Sequence, residues 1–414
     1  MREIPAITVL SHVLPAPGVV ARAELWTPSF VRLLAAGCAY GFAFSSFHLM
    51  PKYLAVEFSA SPSAIGWSAG VFGLASVLTS VVVGTYIDRV SRRRMFAASG
   101  GLLALTAIGF ALVESMGPAV FVWRALQGVA FTMQMAAFST LVTELAPAAR
   151  LGEAVGLAGS SMLIMNAVAP AIDEPLAATF GWSFAYLLAA AAALLSMVLV
   201  LDPQEKPLPA GTRGGKRFVG GGLALVCRRS TTRAYAAVIL LTAIAFAAMF
   251  TFLQPAALQA GYRNVGSFFV AYAAGACGVR VLCGWLPDRF GRRRVAAIAL
   301  VPYALTVAYV AIAGPTSLLG IGLVFGLAHG VFFPALNALA IEHTLVGERG
   351  RLMTVYAGSF NLGAWGGAAA LGPLAEAFGY SAVFGVGAAA ATGALLVLVR
   401  SRGFVLPVDG RTAA

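Results

Sequence analysis

Twelve apolar runs of membrane-spanning length divide this 414-residue chain, and nothing else in the sequence limits its fold as strongly. A helix needs about 20 mostly apolar residues to cross the hydrocarbon core of a bilayer. Runs that meet this fall at 29–50, 63–84, 95–113, 118–142, 152–172, 182–201, 234–258, 266–286, 295–313, 316–341, 351–372 and 379–399. Hydrophobic residues make up 60% of the chain and charged residues 11%, too few charges to wet a soluble surface of this size. The expected class is an all-α membrane protein in contact with the lipid bilayer. Pro and Gly inside the spans do not argue against it, because neighbouring helices re-satisfy freed backbone groups.

The placement of charge says more than the net value of +12. With the N-terminus in the cytoplasm, 24 of the 28 lysines and arginines fall in inner segments. Only Lys52 and Arg263 remain in outer loops, while Arg124 and Arg280 lie inside spans. This bias predicts a multi-pass protein of the cytoplasmic (inner or plasma) membrane with both termini in the cytoplasm. Basic residues gathered in short loops make a topology signal, so no nucleic acid is expected as partner. Cys38, Cys227, Cys277 and Cys283 have no metal or redox spacing, and neither metal nor cofactor is expected. Residues 1–28 read as an N-terminal cytoplasmic extension, since Ser11, His12, Pro15 and Pro17 interrupt any signal-peptide core. Residues 202–233, rich in Pro, Gly and basic side chains, read as a cytoplasmic linker between bundles at 29–201 and 234–400, with 401–414 a cytoplasmic tail.

The two bundles repeat. Gly152 to Tyr186 aligns without a gap on Gly350 to Phe384, so that Phe180-Gly181-Trp182-Ser183 falls on Phe378-Gly379-Tyr380-Ser381. Gly84 and Asp88-Arg89 meet Gly284 and Asp288-Arg289, and Gln127-Gly128-Val129 meets His329-Gly330-Val331, at nearly the same shift. Two six-helix bundles of equal topology form the parallel repeat of transporters, which places a solute site between the halves near mid-membrane.

The loop Gly84-Thr-Tyr-Ile-Asp88-Arg89-Val-Ser91-Arg92-Arg93-Arg94 resembles the signature between the second and third helices of the major facilitator superfamily. The second copy, Gly284-Trp-Leu-Pro-Asp288-Arg289-Phe-Gly291-Arg292-Arg293-Arg294, is closer to it, since Ser91 stands where the family has glycine. Arg124-Ala-Leu-Gln127-Gly128 is similar to the family's fourth-helix motif, and Gly41 through Pro51-Lys52-Tyr53-Leu54 to its proline-ended first helix. The resemblance implies that fold, in pseudo-symmetric halves acting as a monomer. Gly84, Asp88, Arg89, Arg92, Gly284, Asp288, Arg289 and Arg292 are then candidates for a conformational gate. A carboxylate at a helix end can accept hydrogen bonds from a neighbouring helix N-terminus and pair with arginines, in one arrangement of the halves only. Asp88 is expected to face the start of the eleventh helix near Arg349 and Arg351, and Asp288 the start of the fifth near Arg150. Glycine pairs such as Gly66/Gly70, Gly152/Gly156 and Gly275/Gly278 would let these helices approach closely.

Polar groups inside a membrane are costly and therefore functional candidates. Arg124, Gln127 and Gln134 lie at roughly helical spacing on one face. His48, Asn166, Gln254, Arg280 and His329 complete the solute or proton candidates. An arginine fork recognises carboxylates, and several facilitator families that move organic anions carry an arginine in the eighth helix, as Arg280 does here. Facilitator antiporters often end the fifth helix in Gly-Pro-x-x-Gly-Gly, but this chain reads Ala169-Pro170-Ala-Ile-Asp173-Glu174, and the two acids are expected to wet the outer mouth.

The function read from this is secondary transport of a small organic solute by alternating access, proton-coupled and in the direction of export. The alternatives are an organic-anion carrier, by symport or exchange, and a non-transporting receptor on the same scaffold. No His-Glu-x-x-His, Gly-x-Ser-x-Gly or nucleotide loop is present, so an enzyme or a primary pump is not expected.

Overall fold

The computed structural model describes residues 24–86, 90–201, 227–342 and 349–401, apart from the side chains of 84–86, 148, 349 and 350. The extension before residue 24, Asp88 and Arg89, most of the expected linker and the tail beyond 401 lie outside the described residues. Within them every regular element is helical. The long helices are α1 (Pro28–Phe58), α2 (Pro62–Tyr86), α3 (Arg92–Ala111), α4 (Pro118–Leu145), α5 (Leu151–Phe180) and α6 (Trp182–Val200). After them come α7 (Ser230–Gln259), α8 (Gly266–Cys283), α9 (Arg292–Ala313), α10 (Leu318–Glu342), α11 (349–378) and α12 (Tyr380–Arg400). Eleven of them are long and apolar enough to cross a membrane. The one predicted span not among them, 351–372, falls in α11, whose first half carries Arg351, Thr354, Ser359 and Asn361.

Helix boundaries follow local chemistry. The Thr27 hydroxyl accepts from the Phe30 N–H (3.3 Å) and Pro28 opens the first turn of α1, where a missing N–H costs nothing. Pro51 and Pro255 cannot donate to the carbonyl four residues back. The turn before Pro51 tightens to a 3-10 segment (Ser46–Leu49), and the turn before Pro255 widens to a π segment (Ala248–Phe252). A second π segment, Leu362–Gly366, interrupts α11. Gly181 and Gly379 take φ of 86° and 80° in the turns that end α5 and α11, so the duplication seen in the sequence is repeated in the backbone. At the start of α9, Gly291 has φ 88°, whereas Ser91 at the start of α3 has φ −59° and caps the Arg94 N–H with its side chain instead.

Packing shows the same symmetry. α1 lies against α5 and α6, α2 against α4, and α3 against α4 and α6; each contact recurs six helices later, α7 with α11 and α12, α8 with α10, α9 with α10 and α12. The two groups meet along α2–α11 and α5–α8. Those seams are tight at only one end. Gly66 approaches Ala368 and Gly372, Gly372 approaches Pro62 and Ser63, and Gly266 approaches Pro170 and Glu174 so closely that a Cβ has no room. Toward the end bearing the arginine loops, Gly152, Gly156, Gly159, Gly278 and Gly358 have no described atom within 4 Å of a Cβ position. The halves are therefore pressed together at the far end and parted at the arginine-rich end.

Candidate transport cavity and the seam above it

A cavity of about 200 Å³ lies between the halves. The first half contributes Phe44 and His48 from α1, Phe72 from α2, Arg124 and Phe131 from α4, and Asn166 from α5. The second contributes Phe246, Phe250 and Thr251 from α7, Tyr272 from α8, and Phe360 and Trp365 from α11. Both π segments supply wall residues. Much of the wall is aromatic: Phe44 stacks on Phe131 (4.7 Å between centroids), Phe246 on Phe250 (3.9 Å), and Phe72 meets Trp365 edge-on (4.8 Å). Trp365 reaches this position because Gly73 presents no side chain, and a Cβ there would overlap the indole.

Arg124 is buried and is the one permanently charged side chain among the described lining residues. It donates from Nη1 to Gln127 Oε1 (2.5 Å) and from Nε to Ser68 O (3.4 Å), and sits 4.9 Å from the Phe72 ring centroid. Nη2 makes no hydrogen bond among the described residues, so the guanidinium is held by its neighbours with one edge available to a ligand. Gln127, also in the wall, is held through the same bond. The Ser45 hydroxyl donates to Asn166 Oδ1 (2.8 Å), and His48 meets Phe44, Phe250 and Phe269 through ring contacts.

Four sequence candidates lie elsewhere. Gln134 is fully buried two turns along α4, outside the wall, with neither amide atom bonded. Gln254 donates to His48 O (2.7 Å) and Phe250 O (3.0 Å), tying α7 to α1 across the halves. His329 Nδ1 bonds the Tyr272 hydroxyl (2.7 Å) and so stands one residue behind the wall. Arg280 reaches Gly330 O (3.4 Å) along α10 and does not line the cavity, because the arginine-rich half of α8 is splayed away from α5.

Among the described residues, the candidates for the expected latch pair within their own halves. Asp288 pairs with Arg292 (3.1 Å), which also reaches Glu342 (3.3 Å), and Arg150 pairs with Glu153 (2.7 Å). The expected approach of Asp288 to Arg150 is thus absent from this conformation, in which α5 and α8 diverge at that end. Arg289 lies over Trp285 and Phe290, Gly284 ends α8, Gly84 lies in the last turns of α2, and Arg92 pairs with Glu144 (3.3 Å). Asp88 and Arg89 fall outside the described residues.

The chemistry expected of that latch appears instead at the far end. Glu174 of α5 accepts from the Val265 N–H and the Gly266 N–H, both at 2.7 Å, and so caps α8 in the opposite half. Lys52 Nζ binds Glu174 Oε1 and Arg263 O, both at 2.5 Å. A helix N-terminus favours a carboxylate, and hydrogen bonds to a charged group contribute about 1.5–3 kcal/mol. The expectation that Asp173 and Glu174 wet an outer mouth is therefore corrected, because both are buried (1% and 6% exposed) where α5 crosses α8. Lys52, the aromatics of α7 and Trp365 were missed as site residues. The one available signal was that Lys52 is a rare basic residue outside the arginine-rich loops.

The family model described as Major Facilitator Superfamily matches residues 32–286 and 255–411. The chain belongs to the major facilitator superfamily. Among its relatives in Bacillus subtilis (strain 168), it is 30% identical to "Uncharacterized MFS-type transporter YfkL" over 40% of this chain and 43% of that one, less than half of that relative's length. It is 22% identical to "Putative niacin/nicotinamide transporter NiaP" over 64% of this chain and 68% of that protein. Solved structures of the same fold include the nucleoside transporter NupG (14% identity, TM-score 0.76, 90% and 99% of the two chains). The D-xylose-proton symporter matches similarly (15%, 0.75, 93% and 99%). This facilitator is thus a multi-pass membrane protein and a secondary transporter of a small solute.

Proposed function

We propose that this facilitator carries a small organic solute with a planar, apolar body and one anionic group. The observation that carries this is Arg124, the one guanidinium among the described lining residues, with a free edge in a wall rich in aromatic rings. Stacking on Phe44, Phe131, Phe246 and Phe250 would hold the body, and the Arg124 edge would bind a carboxylate through charge-assisted hydrogen bonds. The cavity combines the two readings left open by the sequence, an amphiphilic cargo and an organic anion. Of the two arginines the sequence offers for an anion, Arg124 lines the cavity and Arg280 does not, which supports Arg124. The name of the relative NiaP, a putative niacin/nicotinamide transporter, points to planar aromatic solutes of this size.

With the arginine-rich end in the cytoplasm, as the charge bias predicts, the present conformation faces inward. Alternating access then closes that end through the Asp88 and Asp288 loops while the Glu174 seam opens. Exchange against protons gives export, the direction implied by the family resemblance.

Counterflow in proteoliposomes loaded with planar aromatic acids, their amides and uncharged analogues tests the substrate class. Wild type is expected to exchange the acids. Arg124→Gln is expected to weaken acid binding about 10- to 100-fold, in line with the loss of a charge-assisted bond, and to spare any uncharged solute the protein takes. Undiminished acid exchange in Arg124→Gln would overturn the proposal.

A further inference from the structure

Asp173 is a buried acid with no ion-pair partner among the described residues, next in sequence to a buried acid that accepts three hydrogen bonds. It is 1% exposed, and neither carboxyl oxygen has a well-formed hydrogen bond. The groups around it are engaged elsewhere, apart from the Nη2 edge of Arg124. Ser46 of α1 lies beside it, and its single hydroxyl hydrogen is shared between Phe42 O (3.0 Å) and the acid. On α6, Tyr186 is within electrostatic range of both Asp173 and Arg124, and its hydroxyl points at Met50 Sδ (3.8 Å). On α4, Arg124 is bonded to Gln127 and Ser68. Lys52 on α1 is taken by Glu174 and Arg263 O, and the start of α8 presents only its two N–H groups, both bonded to Glu174. Tyr53 and Glu57 of α1 share the electrostatic neighbourhood of Tyr186, and Tyr53 donates to Phe110 O (3.1 Å).

An ionised carboxylate has at most that one shared hydroxyl for support, and burying a charge without an ion pair is among the largest penalties a fold can carry. A neutral acid has more: its O–H can donate to the Ser46 lone pairs. We propose that Asp173 is a proton-binding site, and that the far-end seam closes only over its protonated form. The inference rests on the carrier reading and names the coupling residue within it.

The adjacent carboxyls then divide the work. Glu174, bonded to Lys52 and to the α8 N-terminus, holds the halves together. Asp173 sets the condition for that closure. With the seam open, water reaches Asp173 and it exchanges its proton with the solution on that side. On closing, the proton is trapped on the carboxyl. Ser46, Ser45 and Asn166 place polar side chains between Asp173 and the cavity; the Ser45 hydroxyl donates to Asn166 Oδ1 (2.8 Å), and Asn166 lies in the cavity wall. Asn166 lies seven residues before Asp173, two turns along the same face of α5. The proton leaves Asp173 as a hydronium ion in cavity water and the carboxylate regains its charge, which reopens the far end.

The test uses the full chain in lipid, with its four native cysteines replaced by serine and spin labels at Val56→Cys and Gln259→Cys, exposed positions near the far ends of α1 and α7. Acidification is expected to shift wild type toward the short inter-label distance, by tenfold or more in the closed-to-open ratio. Asp173→Asn, which copies the neutral acid in shape, is expected to hold the short distance at every pH. Asp173→Glu is expected to keep a pH response with a displaced midpoint. A wild-type distance that ignores pH, or an Asn variant that retains the wild-type response, overturns the inference. If the Asn variant does not fold, the wild-type titration decides alone. Solute counterflow without a pH gradient reports on the carrier reading separately. Counterflow with a pH-insensitive seam removes Asp173 and leaves the carrier, whereas a pH-sensitive seam without counterflow for any acid supports Asp173 and removes the proposed solute class.

Discussion

At the scale of single residues, position relative to a neighbour's backbone decides what a buried charge does. Glu174 and Arg124 are both held in low dielectric by fixed partners, and each is expected to fail in its own way. Glu174→Gln keeps the shape but loses the ion pair with Lys52 and one charged acceptor for the α8 N–H groups. The far-end closed state is expected to lose about 1.5–3 kcal/mol, a 10- to 150-fold shift toward the opposite conformation, read by the Val56/Gln259 label pair. Lys52→Met should move it the same way by less, because Glu174 keeps its two backbone donors. From sequence alone Arg124 was legible as an intramembrane charge with a motif around it. Glu174 was not, since nothing in Pro170-Ala-Ile-Asp173-Glu174 shows that the start of α8 arrives there from the other half.

At the scale of elements, the seams are made by backbone meeting backbone. α2 offers Gly66 and Gly70 to α11, and Gly372 of α11 returns the contact at Pro62. Gly66→Val is expected to hold the far end open, since its Cβ would strike the Ala368 carbonyl and overpacking of this kind costs about 1–3 kcal/mol. Val placed at Gly156, where no described atom is near, should leave the present conformation unchanged. The same labels distinguish the two. The glycine pairs were visible in the sequence as a stripe, but which pairs touch depends on the conformation, and a sequence encodes all of its conformations together. Helix number and repeat were readable because hydropathy and spacing are local properties. The π segments before Pro255 and within α11 were not, because widening a turn leaves no compositional mark.

At the scale of the whole molecule, the proposed cycle has a latch of similar chemistry at each end. Among the described residues Asp288 is bonded to Arg292 alone and is exposed, a pairing of about 0–1 kcal/mol. Asp288→Asn is therefore expected to leave the melting temperature of this state nearly unchanged while slowing counterflow, because the lost contact belongs to the other state. A fall in stability with unchanged counterflow would refute this assignment. The latch loops also differ mechanically. Gly291 occupies the left-handed region (φ 88°) and Ser91 does not, so Gly291→Ser should cost about 1–2 kcal/mol where Ser91→Gly costs little.

Trp365 belongs to two structures at once: it forms one wall of the cavity and it plugs the face of α2 at Gly73. The volume available to a guest is thus set by the same movement that seals the far end. A guest that fits beside the seated indole becomes cargo. One that props the indole off Gly73 blocks the closing stroke and behaves as an inhibitor, however tightly it binds. Discrimination against bulk is then exercised by a step in time, the failure to complete a cycle, rather than by affinity.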